Sequence, residues 1–190
     1  RLISSAASDV YKRQVRDKII DGAVIIYPTE TVWALGCNAS NSKSVSKIFQ
    51  IKKRDKNKPL ICLLSHFNQL KHYVDPPTQK VREKLNLNTH PTVIYPNCIN
   101  ELNHVSNNKN ELAIRITPLK KLGLLIDAIQ SPIVSTSANV SGEPFPRKFE
   151  DIDKRIIDSV DIIFNFDTKS SGNPSKIIRI DEFGALQYIR

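Results

Sequence analysis

Short apolar runs that alternate with helix-like segments are the feature that most constrains the fold of this 190-residue chain. The runs are rich in β-branched side chains, and several end at proline or a small polar residue, which is typical of strands buried in a sheet. The predicted strands are Ala23–Tyr27, Leu60–Leu64, Thr92–Tyr95, Leu112–Thr117, Ile133–Ser135, Ile162–Phe166, Ile177–Ile180 and Ala185–Ile189. Because the last two resemble a hairpin, the sheet is expected to be mixed and not purely parallel.

The segments between these runs show the spacing of amphipathic helices. In residues 119–129 the apolar side chains recur every three or four positions, as on one face of a helix. Another helix is predicted to begin at Asn41 or Ser42, which are suitable N-caps, and to carry Lys52 at its C-terminal end. Further helices are predicted at Val15–Asp21, Phe67–Val74, Pro77–Leu87 and around Ile152–Ile157. Strands interleaved with helices predict an α/β fold with a twisted, mixed sheet.

The first residues do not continue this pattern. The stretch RLISSAASDVYKRQ has no clear periodicity and resembles translated cloning sequence, so residues 1–14 are predicted to be non-native. No internal repeat or linker interrupts the rest, and residues 15–190 are predicted to form a single domain.

Composition narrows the classes of ligand and compartment. The net charge of +9 and the isoelectric point near 9.5 favour polyanionic ligands such as nucleotides or nucleic acid. No apolar stretch approaches the length of a membrane span. The three cysteines, Cys37, Cys62 and Cys98, are odd in number and lack a CxxC spacing. A reducing, cytoplasmic compartment is therefore predicted, without a disulfide framework or a metal site.

A basic run, KKRDKNK at Lys52–Lys58, carries five cations in seven residues. It lies between a predicted helix and a predicted strand, so its charges are expected to be held in place and to meet an anion. In an extended chain Lys52 and Arg54 would share one face, and Lys53 would point away. The forked donors of arginine and the point charge of lysine suit a triphosphate. A solvated helix end is the alternative interpretation.

Three other polar segments follow predicted strands, where open α/β sheets bind their ligands. They are the Thr29–Thr31 loop, the Ser135–Gly142 loop (STSANVSG) and the Ser171–Lys176 loop. Each is also compatible with hydroxyls that only close a turn. Arg115 is a cation inside an apolar strand, and it must face solvent or meet an anion. No Walker or GxGxxG phosphate loop occurs, and no histidine spacing implies a serine hydrolase.

Five segments, in this order, resemble the YrdC/TsaC family of L-threonylcarbamoyladenylate synthases, in its compact bacterial form. They are YPTETVWALGC, KKRDKNKPL, AIRITP, STSANVSG and NPSKII, and the resemblance extends from about Val15 to the end. It implies a YrdC-like twisted, mixed open sheet with flanking helices and a concave basic cavity. It also implies an enzyme, a nucleotidyltransferase that makes threonylcarbamoyl-AMP and pyrophosphate from L-threonine, bicarbonate and ATP, for the threonylcarbamoyladenosine modification of tRNA.

The resemblance also implies roles for single residues. The expected catalytic residues are Lys52 and Arg54, and the expected ATP-binding residues are Lys52, Arg54, Arg115, Ser137, Asn139 and Ser175. Thr29 and Thr31 are expected to line the pocket for threonine and its carbamate. Mg²⁺ is expected to arrive with ATP, held mostly by phosphates and water.

Two other functions stay open at this point. An RNA-binding or ribosome-associated protein would use the same basic concavity, although the aromatic residues mostly lie in apolar contexts. A carbamoyl-transfer module, as in hydrogenase-maturation carbamoyltransferases, would be expected to have flanking zinc-finger-like cysteines. The resemblance further implies transient contact with the tRNA threonylcarbamoyl-transferase complex and weak tRNA binding, but no membrane.

Overall fold

The computed structural model describes residues 2–4 and 9–190, and it contains ten strands and five α-helices within them. The strands are β1 (Leu2–Ser4), β2 (Ile25–Tyr27), β3 (Ala34–Gly36), β4 (Ile61–Leu64), β5 (Thr92–Tyr95), β6 (Leu112–Ile116), β7 (Ile133–Ser137), β8 (Ile162–Asn165), β9 (Ile177–Ile180) and β10 (Leu186–Tyr188). The helices are α1 (Asp9–Ile20), α2 (Ser42–Lys52), α3 (Gln79–Leu85), α4 (Lys120–Ile129) and α5 (Lys154–Ser159). Short 3₁₀ helices cover Phe67–His72, Leu87–Thr89, Asn100–Leu102 and Phe149–Asp151. None of the helices in the described ranges is long and apolar enough to cross a membrane.

The strands form one mixed sheet in the order β1-β8-β2-β3-β7-β4-β6-β5-β9-β10. The pairs β1/β8, β2/β8, β4/β6 and β5/β9 are parallel, and the other neighbours are antiparallel. The prediction of a mixed α/β fold is thus confirmed. β9 and β10 pair antiparallel, as their hairpin-like spacing indicates.

The two faces of the sheet bury alternate residues of each strand, as the pleat requires. In β2, Ile25 and Tyr27 pack with α1 and α4, while Ile26 packs on the opposite face with α2, α3 and α5. We call the side covered by α1 and α4 the front face. Among the described residues, its apolar cluster takes side chains from β2, β3, β4, β7 and β8 but none from β5, β6 or β9. The front face is therefore free of this apolar packing over β5, β6 and β9.

Some elements differ from those predicted. The strand β3 was not predicted, and its Gly36 lies so close to β7 that a Cβ there would be 2.3 Å from the Val134 carbonyl oxygen. Phe67–His72 forms a 3₁₀ helix instead of an α-helix, and α1 begins at Asp9 instead of Val15.

The amino-terminal segment is described only in part. Leu2–Ser4 pairs with β8, whereas residues 1 and 5–8 lie outside the described residues. The non-native origin of residues 1–14 and the single domain of 15–190 stay predictions.

Candidate active site

A cavity of about 440 Å³ opens on the front face, over β3, β4, β5, β6, β7 and β9. Its floor consists of strand residues that alternate with core residues of the opposite face, and many of them are small or hydroxylated. The floor residues include Ala34, Ile61, Thr92, Ile94, Ala113, Ser135, Ser137 and Ile177. Because five of these eight positions carry alanine, serine or threonine, the sheet leaves room for a ligand where α1 and α4 do not cover it.

The charges at the cavity wall are mainly positive. Arg54, Lys58, Arg115 and Arg190 line it, and Glu30 is the one carboxylate among the described lining residues. A concave surface with this balance attracts anionic ligands. The concave basic cavity implied by the resemblance is thus present.

The Thr29–Thr31 loop follows β2 and forms one edge of the cavity. Thr29 Oγ1 donates to the Val32 carbonyl at 2.6 Å and accepts from the backbone N–H groups of Thr31 and Val32 at 3.1 Å. The Thr31 hydroxyl lies 2.8 Å from Thr29 Oγ1. Either hydroxyl can be the donor in this contact. Thr31 keeps at least one acceptor lone pair in either case, and Thr29, which is buried, mainly fixes the turn.

Arg115 of β6 meets its anion within the protein. Its Nη2 lies 2.5 Å from Glu30 Oε1, and the side chains are only 9% and 22% exposed. Burial lowers the pKa of the Arg115 guanidinium, and the nearby Glu30 carboxylate acts in the opposite direction. Arg115 Nε is buried without a hydrogen-bond partner among the described residues. The pair therefore joins the floor of the cavity to the Thr29–Thr31 loop.

The basic run is not extended. Lys52 is the last residue of α2, and Lys53 adopts a left-handed conformation with φ of 48°. The expectation that Lys52 and Arg54 share a face of an extended chain is therefore wrong. Arg54 still reaches the cavity wall, where its guanidinium donates to the carbonyls of Lys58 at 3.2 Å and Pro59 at 2.9 Å. Partial burial lowers the pKa of Arg54, while Asp55 opposes this shift.

Lys52 points into the protein instead, and it is 1% exposed. Its ammonium donates to the Ser137 carbonyl, to the Asn139 carbonyl at 2.6 Å and to Asn139 Oδ1 at 3.2 Å. Burial, and to a lesser degree the charge of Arg54, lowers the pKa of Lys52 to about 7. Neither Lys52 nor Asn139 is among the residues that line the 440 Å³ cavity. Ser137 does line it.

The Ser171–Lys176 loop closes another side of the cavity. At one end the backbone N–H groups of Ser171 and Gly172 donate to the carbonyls of Glu30 and Thr31, both at 2.8 Å. At the other end Ser175 Oγ lies 2.8 Å from Thr92 Oγ1. Ser175 and Thr92 both line the cavity. The loop thus spans from the Thr29–Thr31 loop to β5.

Several lining residues were not predicted from the sequence, namely Thr92, Thr136, Phe145 and Arg190. Phe145 is 45% exposed and also lines a second cavity of about 350 Å³, together with Asn139, Glu143 and Arg147. It lies between Pro144 and Pro146 in a loop without regular structure. An aromatic residue between two prolines cannot belong to a core strand, and this pattern was the available signal.

Comparison with known proteins agrees with the resemblance seen in the motifs. The family model Sua5_yciO_yrdC, described as "Telomere recombination", matches residues 17–190. The chain is 33% identical over 175 residues to the threonylcarbamoyl-AMP synthase of Buchnera aphidicola subsp. Baizongia pistaciae, covering 86% of this chain and 90% of that protein. It is 32% identical over 164 residues to the enzyme of the same name from Blochmanniella pennsylvanica, with 84% of each covered.

The fold is also found in a solved structure, Sua5 of P. abyssi complexed with L-threonine. The TM-score is 0.86 at 24% identity, and the match covers 100% of this chain and 56% of that one. This chain therefore spans little more than half the length of that protein. At this identity the comparison concerns the fold alone, and the predicted YrdC-like fold is confirmed.

Proposed function

The chain belongs to the Sua5/YciO/YrdC family, and on this premise we propose that it is an L-threonylcarbamoyladenylate synthase. It converts L-threonine, bicarbonate and ATP into threonylcarbamoyl-AMP and pyrophosphate, for the threonylcarbamoyladenosine modification of tRNA. The observation that carries this proposal is the convergence of five separate motifs on one basic cavity. They contribute Thr31, Arg54, Arg115, Ser137 and Ser175. The named relatives favour this function over the RNA-binding alternative.

The reaction suits a cavity rich in cations and hydroxyls. The amine of threonine reacts with bicarbonate to give a carbamate and water, and a carbamate oxygen then attacks the α-phosphorus of ATP. The bond from the α-phosphorus to the bridging oxygen breaks, and pyrophosphate leaves with its electron pair. Holding the two anions together and stabilising the charge on phosphate supply most of the acceleration in such reactions.

The geometry suggests which residues face which substrate. Arg54 at the wall and Ser137 at the floor suit the phosphates, since both line the cavity and carry N–H or O–H donors. The remaining acceptor lone pair of the Thr31 hydroxyl suits the threonine amine or the carbamic N–H. Arg115, paired with Glu30 beside Thr31, suits the threonine carboxylate better than the nucleotide side implied by the resemblance. Ser175 remains a proposed ATP contact.

Magnesium is proposed to enter with ATP. Glu30, the lining carboxylate, is already paired with Arg115, and no cluster of three metal-ligating side chains occurs among the described residues. These donors do not fit a protein-held Mg²⁺, so the phosphates and water are the proposed ligands. We also propose a cytoplasmic location and transient contact with the tRNA threonylcarbamoyl-transferase complex, with weak tRNA binding. The three free cysteines are compatible with a reducing compartment.

Phe145 is proposed to stack on the adenine ring, because its exposed aromatic face adjoins the cavity that holds the phosphates. Replacing Phe145 with alanine is expected to raise KM for ATP about tenfold, since a base stacked on an aromatic side chain contributes about 1–3 kcal/mol. KM for threonine should stay nearly constant, and Phe145→Tyr should behave like the wild type. A Phe145→Ala enzyme that loses affinity for both substrates equally would contradict the stacking role.

The function itself is tested by pyrophosphate release, with ATP, threonine and bicarbonate omitted in turn. Release should require all three, and serine or valine in place of threonine should support less turnover. Release that is indifferent to threonine would exclude the proposed reaction.

A further inference from the structure

The ammonium group of Lys52 has no donor left for a ligand. An ammonium group has three N–H donors, and three acceptors surround this one: the carbonyls of Ser137 and Asn139 and the side-chain oxygen of Asn139. With the side chain 1% exposed, a charge here is tolerable only because each donor is satisfied. To reach a phosphate, Lys52 would have to withdraw its hydrogen bond from the carbonyl of the buried Asn139, which is costly.

The same residue also holds the loop through its backbone. The Ser141 N–H donates to the Lys52 carbonyl at 2.9 Å. Lys52 therefore contacts the Ser135–Gly142 loop through both its side chain and its backbone. Asn139 in turn donates from Nδ2 to the Glu143 carbonyl at 2.6 Å. Together these hydrogen bonds fix the conformation of the stretch from Ser137 to Glu143. Ser137 is the member of this network that lines the cavity.

Helix α2 explains how Lys52 comes to lie there. Its buried positions are Ser44, Val45, Ile48, Phe49 and Lys52, so Lys52 continues the apolar face of the helix. The left-handed turn at Lys53 ends the helix directly afterwards and directs Arg54 to the cavity wall. Lys52 therefore faces the protein interior and Arg54 faces the cavity wall, although both belong to one basic run in the sequence.

On the basis of the proposed function, we propose that Lys52 is a positioning residue that acts through Ser137 and Asn139 and does not contact the triphosphate. Its ammonium sets the conformation of the Ser135–Gly142 loop, and this conformation aims Ser137 at the phosphates. The catalytic and ATP-binding role that the resemblance implies for Lys52 becomes an indirect one.

Lysine labelling of the wild-type protein tests the enclosure directly. The probe is an amine-reactive ester, read by peptide mass spectrometry with and without ATP and Mg²⁺. Because the ester modifies only amines that it can reach, a lack of labelling reports the burial of Lys52. Lys52 should stay unmodified in both samples, while the exposed Lys53 is modified in both. Modification of Lys52 in the free protein would overturn the proposal, whether or not ATP protects it.

A double-mutant cycle tests whether Lys52 acts through Ser137. We expect Lys52→Met to lower kcat/KM for ATP about 100-fold in the wild type. The reason is that the Ser137 hydroxyl would no longer be held in place, and the loss of one preorganised donor usually has an effect of this size. In a Ser137→Ala background the same change should cost much less, because the group that it positions is already absent. A direct phosphate ligand, or a residue needed only for stability, would give fold losses that multiply, and this result would contradict the proposal. Failure of the proposed function itself would appear separately, as the absence of threonine-dependent turnover in the wild type.

Discussion

Replacing Arg54 with alanine is expected to lower kcat/KM for ATP by about 100-fold, because one preorganised donor to transferring phosphate is typically responsible for 10²–10³ in rate. Arg54 lines the cavity and is held by the carbonyls of Lys58 and Pro59, so its guanidinium needs no rearrangement to meet an anion. Steady-state pyrophosphate release at varied ATP, with threonine and bicarbonate saturating, measures the effect.

Lys53→Ala is the matched control for this variant. Lys53 is adjacent and equally charged, but it is exposed and does not line the cavity. It should keep nearly full activity, and Arg54→Lys should recover only part of the loss, since lysine lacks the forked donor geometry. Equal losses from Arg54→Ala and Lys53→Ala would mean that the basic run acts as a diffuse positive patch.

Replacing Arg115 with methionine is expected to reduce both stability and activity. The change leaves the mostly buried Glu30 carboxylate without its partner cation. The free energy of unfolding should fall by about 3 kcal/mol, as when one partner of a buried ion pair is removed. The activity should fall more than 100-fold, because the proposed charge-assisted contact to the threonine carboxylate would be lost. Urea denaturation and the dependence of the rate on threonine measure the two effects.

The double variant Glu30→Gln, Arg115→Met separates these effects. It leaves no uncompensated charge, so most of the stability should return. The activity should remain low, with KM for threonine still raised, because the cation that binds the carboxylate is absent. If activity returned together with stability, the ion pair would be structural only, and the proposed role of Arg115 in binding threonine would be wrong.

The architecture was largely predictable, because the core strands can be recognised from their apolar composition. Runs such as Ile133–Ser135 and Leu60–Leu64 are apolar enough to be buried on both faces, and they reappear within β7 and β4. β3 escaped prediction because Ala34–Gly36 is only three residues long and contains no β-branched side chain. It lies between β2 and β7 in the sheet, and the local sequence carries no sign of its pairing with β7, a partner about 100 residues away.

The lining of the cavity was more predictable than the geometry of its residues. Thr31, Arg54, Ser137 and Ser175 do line one cavity. The left-handed turn at Lys53, which ends α2 and separates the directions of Lys52 and Arg54, could not be predicted from the basic run. A basic run suggests solvent or a ligand, whereas the helical register of α2 buries its first member.

The other differences between the predicted and the observed site also depend on contacts between residues that are distant in the sequence. Whether Arg115 meets solvent, ligand or protein is set by Glu30, which lies on a loop far away in the chain. Phe145 could not be assigned to the site either, because its flanking prolines indicate a loop but not which cavity the loop borders.

The central claim is that this cavity joins a threonine carbamate to AMP. The most direct test is mass spectrometry of the nucleotide product made from ATP, L-threonine and ¹³C-bicarbonate. We predict threonylcarbamoyl-AMP with a single ¹³C atom at the carbamate carbon, formed together with pyrophosphate. A product that lacks the label, such as threonyl-AMP, or release of AMP without a threonine-containing adduct, would contradict the account.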